Sequence, residues 1–202
     1  MNDRARWETL LAIVGVQQSR ARLAGALVSG LGGAVAIGTI VLVCQYFVGG
    51  EGAALLVASM GASAVLLFAV PEGPLSQPWA VVGGHTLSAV VGVLSASLVS
   101  DPLLAACLAV GGAIGVMQRC GCVHPPGGAT ALSAVVGGAG VRALGAQYVL
   151  TPVLLNAAII VTVAVAFNGL LARRRYPAYF ARAQLAPSPT SQRANAASPA
   201  TW

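Results

Sequence analysis

Cys120-Gly121-Cys122-Val123-His124-Pro125-Pro126-Gly127-Gly128-Ala129-Thr130-Ala131-Leu132 sets a histidine, a rigid diproline and a diglycine inside a chain otherwise apolar enough to live in lipid. The diproline stops any helix that arrives from the N-terminal side. Backbone that cannot be helical is tolerated at bilayer depth only where protein buries it or a polar cavity hydrates it. This stretch therefore marks a pore or a pocket.

The solvent in which the chain folds follows from its composition. Hydrophobic residues make up 57% of the 202 residues and charged ones 8%, with 25 glycines, and the mean hydropathy is +0.82. A soluble domain carries about a quarter of its residues as charges, so this is an integral membrane protein whose partner surface is the lipid bilayer. The length suits one polytopic domain. The net charge of +6 comes from arginine, with no lysine present. Arg4, Arg6, Arg20 and Arg22 precede the first apolar run, and Arg173, Arg174, Arg175, Arg182 and Arg193 follow the last. Arginines in those places are topology anchors rather than a nucleic-acid surface, and they put both termini in the cytoplasm, as expected for an inner-membrane protein. Residues 1–22 read as a cytoplasmic amphipathic segment, 23–175 as the transmembrane domain, and 176–202, rich in Pro, Ser and Ala, as a disordered cytoplasmic tail.

Six hydrophobic elements are expected: residues 23–48, 53–70, 79–99, 103–118, 129–139 and 148–171. A crossing needs about 20 residues, so the fifth is too short for an ordinary span. The second carries Gly61 at its middle, where a break is expected, and ends at the loop Pro71-Glu72-Gly73-Pro74-Leu75-Ser76-Gln77-Pro78. If all six cross, Arg119 joins the termini and only Arg142 lies opposite; if elements two and five re-enter, both arginines lie opposite. The first arrangement fits the arginine bias better.

Gly61-Ala62-Ser63-Ala64-Val65 aligns with Gly128-Ala129-Thr130-Ala131-Leu132 at an offset of 67 residues. Three crossings per copy reverse the second copy. The fold class read from this is all-α, a polytopic transmembrane bundle with an inverted 3+3 repeat and two short or broken helices, which in such folds point to the binding site. Close packing is expected along Gly84, Ser88, Gly92 and Ala96, along Gly25, Ser29 and Gly33, and at Gly111 and Gly115. Stripes of this kind let helices approach in lipid, and they admit a homo-oligomer.

A helix starting near Gly128 would turn bare N–H groups and its positive dipole end inward, which suits a small inorganic anion. The candidate substrate-binding residues are Gly61 and Ser63 from the first half, Gly127, Gly128 and Thr130 from the second, the two histidines His85 and His124, and the intramembrane Asn156. Ionisable groups within spans are functional candidates by default, and imidazole can change charge near neutral pH. No catalytic residue, metal site or cofactor is expected, and no nucleic-acid partner.

The run from His124 to Leu132, the upstream Gly61 to Phe68, and the connector Pro71 to Pro78 followed by Gly83-Gly84-His85 resemble the HPP family of integral membrane proteins over residues 23–171. The resemblance implies transport of a small anion, with nitrite the leading substrate, since that family includes plastid and cyanobacterial nitrite transporters. It also implies four clear spans, matching the four long elements. Other readings stay open on the residues alone. Cys120, Cys122 and His124 alternate as soft metal ligands but lack a fourth partner. Ser63 with a distant histidine is the minimum for a serine hydrolase. A structural membrane protein needs no site at all. Channel, proton symport and facilitated diffusion fit these residues equally.

Overall fold

The computed structural model describes residues 7, 22–47, 50–172, 174 and 176–178. The expected surface segment over residues 1–22 and most of the expected tail lie outside the described residues. The chain forms helices α1 (Leu23–Phe47), α2 (Gly50–Ala69), α3 (Pro78–Leu98), α4 (Pro102–Arg119), α5 (Pro125–Val136), α6 (Gly138–Leu144) and α7 (Leu155–Ala166). Wide helical turns, Val149–Leu154 and Phe167–Leu171, extend α7 at both ends. Helices α3, α4 and α5 each open on a proline, a position whose N–H would have no partner within the helix anyway. At α4 the Asp101 carboxylate also accepts the Leu104 amide proton at 2.7 Å, a side-chain cap.

Four helical stretches are long and apolar enough to cross a membrane: Leu23–Phe47, Pro78–Leu98, Pro102–Arg119 and Val149–Leu170. Large apolar side chains such as Leu27, Leu31, Leu94, Leu98, Leu103 and Leu170 are exposed along them. In water that distribution would be unfavourable; in lipid it costs nothing. The apolar part of α2 is shorter, covering Ala54–Ala69. The second short element is α5, which completes its passage with the non-helical segment 120–124, a turn at Cys120-Gly121 followed by residues 122–124.

Contacts fix which helix ends lie together. Arg174 donates to the carbonyls of Phe68, at 2.7 Å, and Gly25, at 3.3 Å, and the Tyr176 hydroxyl donates to the Ser76 carbonyl at 2.8 Å. The Trp79 indole N–H donates to the Cys120 carbonyl at 3.2 Å. The start of α1, the end of α2, the start of α3, the end of α4 and the chain beyond α7 therefore share one end of the bundle. Pro102, Val135 and Arg142 line a common pocket at the opposite end. The chain passes through the bundle six times, with Arg22, Arg119 and Arg174 at one end and Arg142 at the other.

Two expectations need correction. Helix α2 runs unbroken through Gly61, because nothing there removes an amide or forces φ away from helical values. The real interruptions are the segment 120–124 and Thr151, whose φ of −131° and ψ of 112° break the sixth element ahead of Pro152. The second correction concerns packing. Gly84, Ser88 and Gly92 do form the seam between α3 and α5: a Cβ on Gly84 would stand 2.6 Å from the His124 Cβ, and one on Gly127 2.8 Å from the Ser88 Oγ. On α1, however, the seam residue is Gly32, pressed against Phe68 and Phe167, while Gly33, Gly111 and Gly115 meet nothing within 4 Å. Alanines 105, 109 and 113 do the packing on α4 instead. Just past the expected domain boundary at residue 175, Tyr176 is buried and the Ala178 amide donates to Gln77 at 2.9 Å.

Candidate functional site

Four of the eight residues singled out from the sequence meet in the interior. Ser63 sits one face-turn beyond Ser59 on α2, and α3 brings His85 to the same depth. Segment 120–124 lowers His124 alongside α3 until α5 can begin, and the second turn of α5 carries Thr130. Gly84 makes this descent possible, because the Cys122 carbonyl and the His124 Cβ occupy the place of its missing side chain. Ser63, His85, His124 and Thr130 each have no solvent-exposed surface.

Ser63 Oγ lies 2.8 Å from His85 Nε2 and 2.9 Å from His124 Nε2. The other nitrogen of His85 is 2.7 Å from Thr130 Oγ1, and that of His124 is 2.8 Å from the Leu75 carbonyl. The two rings meet edge to face with centroids 4.9 Å apart. Thr130 Oγ1 also reaches Ser59 Oγ at 3.2 Å, and the Thr130 carbonyl accepts the Tyr148 hydroxyl at 2.8 Å. Every ring nitrogen is thus partnered, as burial in a low-dielectric interior demands. The two hydroxyls that the internal repeat aligns, Ser63 and Thr130, flank opposite nitrogens of a single imidazole.

Proton positions follow from one fixed point. A carbonyl only accepts, so His124 Nδ1 carries a proton and, in the neutral ring, Nε2 is bare. Ser63 is the donor within reach of that bare nitrogen. Its hydroxyl hydrogen being committed, Ser63 takes a hydrogen bond from His85 Nε2–H, and Thr130 in turn donates to His85 Nδ1. Leu75 thereby orients the whole chain of groups.

The remaining candidates fall elsewhere. Gly127 packs α5 against Ser88, whose hydroxyl is buried and unpaired. Gly61 and Gly128 would tolerate a Cβ without meeting any atom within 4 Å. Asn156 is buried on α7, where its amide donates to Cys44 Sγ at 3.1 Å and its carbonyl oxygen has no partner. The start of α5 offers fewer amide donors than the first turn of a helix usually does. Pro125 and Pro126 have no N–H, and the Gly127 N–H closes on the His124 carbonyl at 2.8 Å, so polar recognition here leans on side chains.

Ser59, Leu75, Tyr148 and Arg142 were not singled out from the sequence. Ser59 could have been, since it stands four residues before Ser63 and so on the same helix face. A pocket of about 100 Å³ lined by Ser97, Arg142, Gly145 and Tyr148, and a second of about 130 Å³ lined by Ser100, Pro102 and Arg142, open at the far end of the bundle. Arg142 is shared by both, with one guanidinium N–H given to the Val135 carbonyl at 3.2 Å. Among the described residues no three His, Cys, Asp or Glu side chains gather as metal ligands; Cys122 is buried while Cys120 is exposed.

The site can exchange protons and offer hydroxyl and imidazole donors. A Ser63 nucleophile has a base in reach, but acyl transfer also requires oxyanion donors, and the diproline removes the amides that would serve.

Residues 18–177 match the family model described as HPP, transmembrane region. The chain is similar to two transmembrane proteins of Dictyostelium discoideum, 42% identical over 130 residues and 39% identical over 129, in each case 62% of this chain. It spans less than half the length of these curated relatives, 45% of one and 41% of the other. No solved structure matches.

Proposed function

Because the chain belongs to the HPP transmembrane family, we propose that it moves a small inorganic anion across the membrane, with nitrite the first candidate. The observation that carries this reading is the fully buried Ser63, His85, His124 and Thr130 cluster inside an apolar bundle. Polar groups at such depth are costly and mark ion or substrate pathways. Hydroxyls and imidazole N–H groups are the donors that a small oxyanion needs. Glu72 and Asp101 are both exposed, so neither carboxylate opposes an anion inside. Arg142, at the mouth of the far-end pockets, supplies the attraction that would concentrate anions there.

On this reading the Arg142 end is external and the end with Arg22, Arg119 and Arg174 is cytoplasmic, following the arginine bias. In the present conformation the cluster is closed, with its donors satisfied by one another. Anion passage therefore requires the contacts of Ser63 with the two imidazoles to open, and the anion takes over their hydrogen bonds.

Reconstitution into liposomes tests the proposal. The protein should accelerate nitrite uptake over protein-free vesicles, and His124→Ala should abolish the gain while the variant remains monodisperse in detergent. Uptake equal to empty vesicles for nitrite, nitrate and chloride alike would refute it.

A further inference from the structure

We propose that Thr130, His85, Ser63 and His124 form a one-way proton relay, which moves one proton per transport cycle toward the Pro71–Gln77 loop; the inference rests on the transport reading above. Its basis is the unbroken run of contacts from Thr130 Oγ1 to His85 Nδ1, His85 Nε2 to Ser63 Oγ, Ser63 Oγ to His124 Nε2, and His124 Nδ1 to the Leu75 carbonyl, none longer than 2.9 Å. Each member both donates and accepts, and all hydrogens point the same way because the carbonyl at the end can only accept.

The relay balances atom by atom. A proton arriving as hydronium, or on the conjugate acid of the anion, binds Thr130 Oγ1. The original Thr130 hydroxyl proton passes to His85 Nδ1, and the His85 Nε2 proton passes to Ser63. The Ser63 proton passes to His124 Nε2, and the His124 Nδ1 proton leaves past Leu75 to the surface. One proton enters, one leaves, and no group keeps a charge. Afterwards, His124 Nδ1 and the Leu75 oxygen face each other as two bare acceptors. That repulsion blocks a second transfer until the rings and hydroxyls turn back, which ties each proton to one conformational reset. Ser59 Oγ and the Pro126 carbonyl, 3.2 and 3.4 Å from Thr130 Oγ1, can take its hydroxyl in the reversed state.

The surroundings favour transfer over trapping. Other titratable groups near the two rings are Tyr148, whose hydroxyl is held by the Thr130 carbonyl, and Cys122, buried against Gly83. Helices α2 and α5 contribute none along their described inner faces, and Cys44 on α1 is engaged by Asn156. Glu72, Arg119, Cys120 and Arg142 are exposed, so none of these groups holds a proton inside. Tyr148 also lines the Arg142 pocket, which places the first relay residue behind the wall of that vestibule.

Two measurements on the full chain decide the matter. In liposomes with an internal pH dye and a valinomycin-clamped potential, nitrite uptake should follow the pH gradient, bring one proton per anion, and ignore the potential. Thr130→Val should lower this proton-linked uptake on the order of tenfold, as loss of one buried hydrogen bond implies, and Thr130→Ser should restore it. Uptake that follows the potential and moves no protons overturns the relay while leaving transport intact; no uptake under any gradient overturns the transport reading itself. Nitrogen NMR of the neutral protein supplies the second readout, independent of transport. His124 should be the Nδ1–H tautomer and His85 the Nε2–H tautomer, and the opposite assignment for His124 overturns the relay.

Discussion

Gly84 carries His124: a side-chain carbon placed on Gly84 would stand 2.6 Å from the His124 Cβ and 2.9 Å from the Cys122 carbonyl. The first distance is a clash with a carbon fixed by the Pro125-Pro126 start of α5, and the second a clash with backbone. Gly84→Ala should therefore lower the unfolding temperature in detergent, at a cost of about 1–3 kcal/mol typical of overpacking, and disturb the histidine pair. Gly111→Ala is the control. Its position is open, so the better helix propensity of alanine should make it neutral or stabilising by up to about 1 kcal/mol. Equal destabilisation of both variants would show that the seam is not where close packing matters.

Arg142 should control how readily anions enter rather than how fast they cross, because it lies at the pocket mouth and not among the buried donors. Replacement by glutamine is expected to raise the half-saturating nitrite concentration about tenfold through loss of electrostatic focusing, with the maximal rate little changed. Lysine at this position should recover most of the apparent affinity. A fall in maximal rate at unchanged half-saturation would instead place Arg142 on the crossing path. High salt should narrow the gap between wild type and Arg142→Gln, since exposed charges are screened.

These residues also show what a sequence can and cannot disclose. The bundle was legible, because apolar runs and prolines fix helix number and helix starts. His124, His85, Ser63 and Thr130 were legible too, as polar groups in a chain that affords few. Their hydrogen-bond partners were not, because Leu75 joins through its backbone carbonyl, which no side-chain pattern records. Gly61 was misread for a physical reason: a glycine permits a break without imposing one, since it keeps its N–H and adopts helical φ as readily as any other. The shortage of amide donors at the start of α5 was visible in the sequence itself, since prolines at the first two helical positions carry no N–H.

Ser63 with the bare His124 Nε2 at 2.9 Å has half of what a serine nucleophile needs. Activation alone is insufficient without access and without oxyanion donors. Ser63 has no exposed surface, and the neighbouring helix start lacks N–H groups at Pro125 and Pro126 and has that of Gly127 engaged. A fluorophosphonate probe should leave Ser63 unmodified in the folded protein, as judged by intact mass and peptide mapping. Stoichiometric labelling at Ser63, absent in Ser63→Ala, would move the protein into the hydrolases.

Cys120 offers a direct test of orientation. It is exposed, follows Arg119, and has its carbonyl held by Trp79 at the bundle end that also holds Arg22 and Arg174. If arginine bias sets topology, that end faces the cytoplasm. A membrane-impermeant maleimide applied to intact cells should then fail to label Cys120 and should label it once the membrane is permeabilised. Cys44 and Cys122 are buried and should stay silent in both conditions, while Cys107, exposed on the α4 surface, is replaced by serine to keep the readout single. A cysteine introduced at Ala146, an exposed position near Arg142 at the opposite end, should show the reverse pattern. Labelling of Cys120 from outside, with Ala146→Cys protected, would invert the assignment of sides and with it the direction in which the relay carries its proton.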